Sequence, residues 1–198
     1  MRNGSARAAL CLALVCIAAA GGCATSKEYV FLSYEPSLKG EAPARHAPIR
    51  MAIPRFTDAR KGIAPNVVGY MEQRGEAQPG AVLLAEYASL AEAMTQEVAR
   101  LFRQHGFEVF PDSASAEAGG RLDGELKGEI VSFLVGSPKG GPLGKIEGEA
   151  EVALQLWHPT QKNPIWTASL KASAGREYQV SLTRARSATV NDIYTQLM

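Results

Sequence analysis

The segments LDGELKGEIVSFLV, residues 122–135, and KIEGEAEVALQLW, residues 145–157, decide the fold class of this chain. In both, apolar or small residues alternate with charged ones, which is the period of a β-strand with one buried face. A slip of one residue would bury four or more charges, so the register of the pair is well specified. With a third strand predicted over residues 165–174, the segments predict an antiparallel meander.

One face of this meander is acidic. We expect it to be a solvated sheet surface, and the sharper alternative is a binding face for a basic partner. Its candidate residues are Glu125, Glu129, Glu147, Glu149 and Glu151.

The segments around the meander predict its second layer. An apolar stripe at helical spacing predicts a long helix over residues 81–105, ended by Gly106 in the left-handed conformation. Strands are predicted over 49–53 and 107–110, a long loop over 56–80, and a short last helix capped by Ser187. The prediction is α+β: a two-layer sandwich whose mixed sheet of four to five strands carries the long and the short helix on one face.

The N-terminus has the three parts of a secretion signal. Arg2 and Arg7 precede the apolar run AALCLALVCIAAA, residues 8–20, which is too short to span a bilayer. The following Ala20-Gly21-Gly22-Cys23 resembles the bacterial lipobox, although leucine is usual at the place of Ala20. The resemblance implies that residues 1–22 are removed and that Cys23 carries lipid, palmitate included. The alternative is an ordinary secreted protein cut after Ala20 or Ala24.

Lipidation of Cys23 would place the protein in the envelope, facing the periplasm. Alanine after the cysteine points to the outer membrane, because aspartate there favours retention in the inner one. Cys11 and Cys16 fall in the leader, so residues 24–198 contain no cysteine and can form neither a disulfide nor a thiolate metal site.

Composition limits the remaining function classes. Removing the leader leaves 19 basic and 20 acidic residues, a balance that gives no reason to expect nucleic acid. Residues 23–48 are small, polar and broken by proline, which predicts a lipidated tether and linker before one domain over 49–198. Within the tether, Tyr29-Val30-Phe31-Leu32 is apolar enough for an edge strand or an arm packed on the domain.

Motifs of catalysis are missing from the sequence. None of His46, His105 and His158 is spaced with a second zinc ligand, and no nucleophile elbow or phosphate loop occurs. We therefore expect that the protein is not an enzyme and that it binds neither a cofactor nor a metal ion. Asp58 and Arg60 favour a loop-fixing ion pair over an acid–base couple.

Several short motifs resemble the YajG-type bacterial lipoproteins. They are Phe56-Thr57-Asp58-Ala59-Arg60 after the opening strand, Val68-Gly69-Tyr70 in the following loop, and Gly106-Phe107 after the helix. The resemblance covers residues 49–198. The general fold is also similar to that of penicillin-binding-protein activator lipoproteins, which are partner-binding regulators.

The sequence supports a non-catalytic envelope lipoprotein that binds a protein partner. The predicted partner-binding residues of the loop are Asp58, Arg60, Lys61, Gly69 and Tyr70, with the acidic face as the alternative surface. We expect alanine at both Asp58 and Arg60 to leave the fold intact and weaken capture. A second hypothesis is an accessory lipoprotein of lipid or solute transport that binds an apolar ligand, and a third is a hydrolase. The identity of the partner and the oligomeric state stay open.

Overall fold

The computed structural model describes residues 27–32, 48–71, 80–117, 120–137, 145–177 and 182–198. The strands are β1 (Lys27–Val30), β2 (Arg50–Ala52), β3 (Thr57–Asp58), β4 (Val67–Met71), β5 (Gly80–Leu84), β6 (Glu108–Phe110), β7 (Gly124–Gly136), β8 (Lys145–Trp157) and β9 (Trp166–Glu177). The helices are α1 (Leu90–Gln104), α2 (Ser113–Glu117) and α3 (Leu182–Leu197).

Strand β7 is the centre of the sheet. One edge of β7 pairs with β8 along its whole length in antiparallel register, and β8 pairs in the same way with β9. The predicted antiparallel meander is thus confirmed. The other edge of β7 is shared by three short strands, β2, β3 and β4, which pair with it in succession and in parallel. Parallel β6 lies outside β2, antiparallel β5 lies outside β4, and parallel β1 lies outside β5.

The predicted α+β class is confirmed, but the predicted size of the sheet is wrong. The described residues form nine strands rather than four or five. The segment predicted as a loop, residues 56–80, contains β3 and β4. Each of these strands is too short to show a period of its own. Each is held by pairing with residues of β7 that lie about seventy positions later in the chain.

The two long helices share one core with the inner face of the sheet. Tyr194 of α3 donates a hydrogen bond of 2.9 Å to the carbonyl oxygen of Ala93 in α1, so the helices also contact each other. Gly148 of β8 leaves room for Ile193: a Cβ there would lie 2.4 Å from Cδ1 of that side chain. The space between α3 and β8 is filled at this point.

The boundaries of both long helices differ from those predicted. Helix α1 begins at Leu90, because residues 80–84 pair as β5 between β4 and β1. Helix α3 begins at Leu182 and has 16 residues, so it is not short and Ser187 lies inside it. The predicted end of α1 is confirmed: Gly106 has φ +80, and the amide of Phe107 donates to the carbonyl of Phe102.

A β-bulge divides β7 into two halves of opposite phase. Ile130 pairs with Val152 and Ser132 with Glu151, which leaves Val131 as the extra residue. Leu126 and Ile130 before the bulge and Phe133 and Val135 after it therefore all face the core. In the sequence, the signal for this bulge is the change of the apolar set from even to odd positions.

Candidate functional site

Asp58 and Arg60 form a buried ion pair at the end of β3. The Nε and Nη2 atoms of Arg60 donate to the two carboxylate oxygens of Asp58 at 2.8 and 2.7 Å, a bidentate geometry. The Arg60 side chain is 1% exposed and that of Asp58 is 18% exposed. The loop-fixing ion pair predicted from the sequence is confirmed.

Arg60 also ties this segment to its neighbours through three carbonyl oxygens. Nη1 donates to Val67 of β4 at 2.6 Å and to Phe133 of β7 at 3.4 Å, and Nη2 donates to Pro65 at 3.3 Å. A guanidinium has five N–H donors, so every donor of Arg60 has an acceptor within the chain. The pair fastens β3, β4 and β7 together.

The charge state of Asp58 follows from this environment. Burial alone would raise the pKa of its carboxyl, but the hydrogen bonds and the charge of the Arg60 side chain, with the Arg60 backbone amide, hold the pKa below its ordinary value. The carboxylate is therefore kept ionised as the acceptor of the Arg60 donors.

The five residues predicted as a loop site have different surroundings. Lys61 is exposed and Tyr70 is half-buried, whereas Gly69 is buried in β4. A Cβ at Gly69 would lie 2.0 Å from the carbonyl oxygen of Val135, so glycine lets β4 approach the end of β7. Of the set, Lys61 and Tyr70 present side-chain surface, while Arg60 and Gly69 act inside the sheet.

This geometry bears on the expectation that alanine at both Asp58 and Arg60 leaves the fold intact. The buried guanidinium and its five acceptors make loss of stability the expected result instead, because a buried acceptor left without its donor is costly.

The acidic face lies on the side of the meander opposite the helices. Glu125 pairs with Lys127 at 3.4 Å, Glu151 pairs with Lys171 at 3.3 Å, and Glu147 pairs with Lys145. Ser169 also donates to Glu151 at 2.7 Å, and this hydrogen bond, followed by the one from Lys171, lowers the pKa of the glutamate. Three of the five glutamates of this face are thus paired with a lysine.

Apolar side chains interrupt the acidic face, a feature that the sequence reasoning did not single out. Val131, the bulge residue, is 43% exposed, and Leu134, which is paired with Glu149, is 40% exposed. Beside Leu134 lies a cleft of about 800 Å³ that is lined by Lys145, Glu147, Glu149 and residues 173–177. The outer face therefore combines apolar surface with both signs of charge.

A second buried ion pair, between Glu28 of β1 and Arg186 of α3, was not predicted. The Arg186 side chain is 2% exposed, and its Nε and the Oε1 of Glu28 have no hydrogen-bond partner among the described residues. The pair joins positions 158 residues apart in the chain. Its sequence signal is an arginine between buried Ala185 and Val190 on an otherwise apolar helix stripe.

Two features relevant to function are not found in the part of the chain that the structure covers. No group of three or more histidine, cysteine or acidic side chains there could hold a metal ion. None of the helices in the described ranges is long and apolar enough to cross a bilayer. Cys23 and the predicted signal peptide lie outside those ranges.

Comparison with known proteins shows that the fold is similar to that of solved structures. No family model matches the sequence. A search of curated proteins finds no match either.

Two solved structures are similar over most of their length. Protein XCC0632 from Xanthomonas campestris, of family DUF330, has a TM-score of 0.58 and 13% identity, with 85% of this chain and 88% of that chain covered. A homologue of a neuraminyllactose-binding hemagglutinin from Helicobacter pylori has a TM-score of 0.50 and 12% identity, with coverages of 84% and 87%. At these identities the structures share a fold with this chain, and the resemblance to YajG-type lipoproteins stays a prediction.

Proposed function

We propose that the protein is a non-catalytic lipoprotein of the bacterial envelope, anchored through Cys23, that binds a protein partner on the outer face of its meander. The observation that carries the proposal is the pair of exposed apolar residues, Val131 and Leu134, among the glutamates of that face. Protein-binding surfaces combine an apolar centre with a polar rim.

The charges of the outer face indicate the kind of partner. Glu129 is exposed next to the bulge, and Glu149 is exposed beside Leu134. A partner segment that carries lysine or arginine next to an apolar side chain would complement them, because opposite charges across an interface steer association and fix its register. The Asp58–Arg60 pair helps to hold β7 in place, because Arg60 donates a hydrogen bond to the carbonyl oxygen of Phe133 in that strand.

The first test concerns the anchor. Palmitate labelling and membrane fractionation of the wild type and of Cys23→Ala should give label and membrane association in the wild type alone. The outer-membrane fraction is expected to hold the labelled protein, as Ala24 suggests. Label on the variant, or a soluble wild type, would contradict the lipoprotein assignment.

The second test concerns the binding surface. Crosslinked envelopes should yield one dominant protein on capture with the wild type, and the double variant Leu134→Asp, Glu149→Lys should lose it. Lys162→Glu, at an exposed position of the β8–β9 turn, is the matched surface control and should retain capture. Equal capture by the wild type and the double variant would exclude the outer face.

The transport hypothesis has a separate readout. Native mass spectrometry of the purified protein would detect a copurified lipid if an apolar ligand were bound. Ile193 fills the space over Gly148 between α3 and β8, so an apolar ligand would have to bind elsewhere between the helices and the sheet.

A further inference from the structure

Strand β1 and the residue that directly follows it present two aromatic side chains to solvent. Glu28 and Val30 face the interior, and the alternate residues Tyr29 and Phe31 are 53% and 60% exposed. Phe31 has the largest exposed fraction of the large apolar side chains in the described ranges. Lys27, at the start of the strand, is also exposed.

The rest of β1 is held by the domain. Its four residues pair in parallel with β5, and Val30 is fully buried. Glu28 forms the buried ion pair with Arg186, and the side chain of Asn191 donates to the carbonyl of Phe31 at 3.3 Å. The aromatic side chains are therefore carried on a strand that α3 and β5 keep in place.

The length of chain before β1 limits where this strand can be. Lys27 is four positions after Cys23, and a fully extended chain spans at most about 3.6 Å per residue. Lys27 therefore lies within about 14 Å of a lipidated Cys23. If the domain were tethered only from Pro48, 25 residues after the cysteine, the same limit would be about 90 Å.

We propose that β1 is a membrane-contact strand: Tyr29, Phe31 and Lys27 rest in the headgroup region of the bilayer that holds the lipid of Cys23. The inference rests on the proposed lipidation of Cys23. Aromatic rings are favoured at the membrane interface, and a lysine ammonium is attracted to lipid phosphates. The occupant of this surface is the lipid bilayer, because the short connection leaves the exposed side chains little distance from it.

This contact would orient the binding surface. Strands β5, β4, β7 and β8 lie between β1 and β9 along the sheet. At about 4.8 Å per strand, the outer strand of the meander is up to about 24 Å across the sheet from β1. The membrane contact would thus lie at the β1 edge of the sheet, with the meander across the sheet from it.

The test uses a spin label whose depth in the membrane can be measured. Residues 24–198 contain no cysteine, so Phe31→Cys in the lipidated chain introduces a unique thiol for labelling. The same label at Lys162→Cys is the matched control in an exposed turn. Both proteins are placed in phosphatidylethanolamine–phosphatidylglycerol vesicles, and collision of the label with oxygen and with a water-soluble nickel complex is measured.

The expected result is a several-fold lower nickel collision rate at residue 31 than at residue 162, with a higher oxygen rate. The difference should vanish in the unlipidated Cys23→Ala forms kept in solution. Equal nickel rates at both positions in protein that floats with the vesicles would overturn the contact while leaving the anchor intact. Failure of the lipidated preparation to float with vesicles would instead overturn the proposed anchor, and the contact with it.

Discussion

Arg60 illustrates how one buried charge can join three strands. The side chain brings a full positive charge into the protein interior, which is unfavourable unless the charge is paired and every donor is bonded. Asp58 supplies the counter-charge two residues away, and carbonyl oxygens of Pro65, Val67 and Phe133 take the other donors. Residue types that looked like a binding motif in the sequence are explained by this bonding within the sheet.

The first prediction follows from the acceptors of Arg60. Arg60→Ala should lower the free energy of unfolding by about 3 kcal/mol, near the lower end for a broken buried ion pair because Asp58 keeps some contact with water. Urea unfolding followed by circular dichroism measures the change. Lys61→Ala is the adjacent exposed control and should differ from wild type by less than about 0.5 kcal/mol. Similar midpoints for both variants would show that the Arg60 network is not structural.

The ionisation of Asp58 predicts a pH dependence. Its pKa is lowered in the folded state, so its contribution to stability is present above about pH 3.9, its unfolded value, and is lost as pH falls through the folded value. The stability advantage of wild type over Asp58→Asn should therefore shrink between about pH 6 and about pH 2. Urea midpoints at several pH values measure it. An advantage independent of pH would contradict the role of the carboxylate charge.

Both ends of α1 are marked by local sequence signals. Ser89 accepts a hydrogen bond from the amide of Glu92 at 3.1 Å, and the residues Ser89-Leu90-Ala91-Glu92 are the pattern of a capping box. The predicted helix begins upstream of this capping box, at residue 81, because Leu83 and Tyr87 continue the helical spacing of apolar residues. Long-range pairing of β5 with β4 and β1 overrides that spacing, which no local pattern reveals.

The N-cap residue of α1, Ser89, gives an element-scale prediction. Ser89→Ala should cost about 1 kcal/mol, since it removes the N-cap, and its hydroxyl also accepts from Arg55 at 2.7 Å. Ser187→Ala, at the position predicted from the sequence as a cap but inside α3, should change stability by less than about 0.5 kcal/mol. Thermal or urea unfolding of both variants measures the difference. A larger loss at Ser187 than at Ser89 would contradict the observed helix boundaries.

The whole molecule is closed by contacts between the two ends of the described chain. Strand β1 from the N-terminal side pairs with β5, and α3 from the C-terminal side covers it through Arg186. Val30 of β1 belongs to the main core. This segment, which was predicted to belong to the tether, is thus an edge strand of the sheet. An edge strand was one of the two expectations for Tyr29–Leu32.

The Glu28–Arg186 pair gives the prediction at this scale. Glu28→Ala should destabilise the protein by about 3–5 kcal/mol, because it leaves the arginine charge buried without a counter-charge. The double variant Glu28→Leu, Arg186→Met should recover most of the loss, since apolar residues of similar volume replace buried pairs well. Urea unfolding gives both values, and faster amide exchange in β1 of the single variant would locate the effect. A double variant as unstable as the single one would contradict this account.

Local sequence patterns are enough to predict the meander, the apolar face of α1, its left-handed end at Gly106 and the Asp58–Arg60 pair, because each depends on a local period or on near neighbours. They also locate Cys23 and the absence of other cysteines after it. The size of the sheet, the burial of Arg60, the bulge at Val131 and the place of β1 are seen in the three-dimensional structure alone. These depend on pairing between residues far apart in the chain, such as β3 with β7 and Glu28 with Arg186. Strands of two to five residues gain their stability from such pairing partners, and a sequence that short does not show the alternation that would predict a strand.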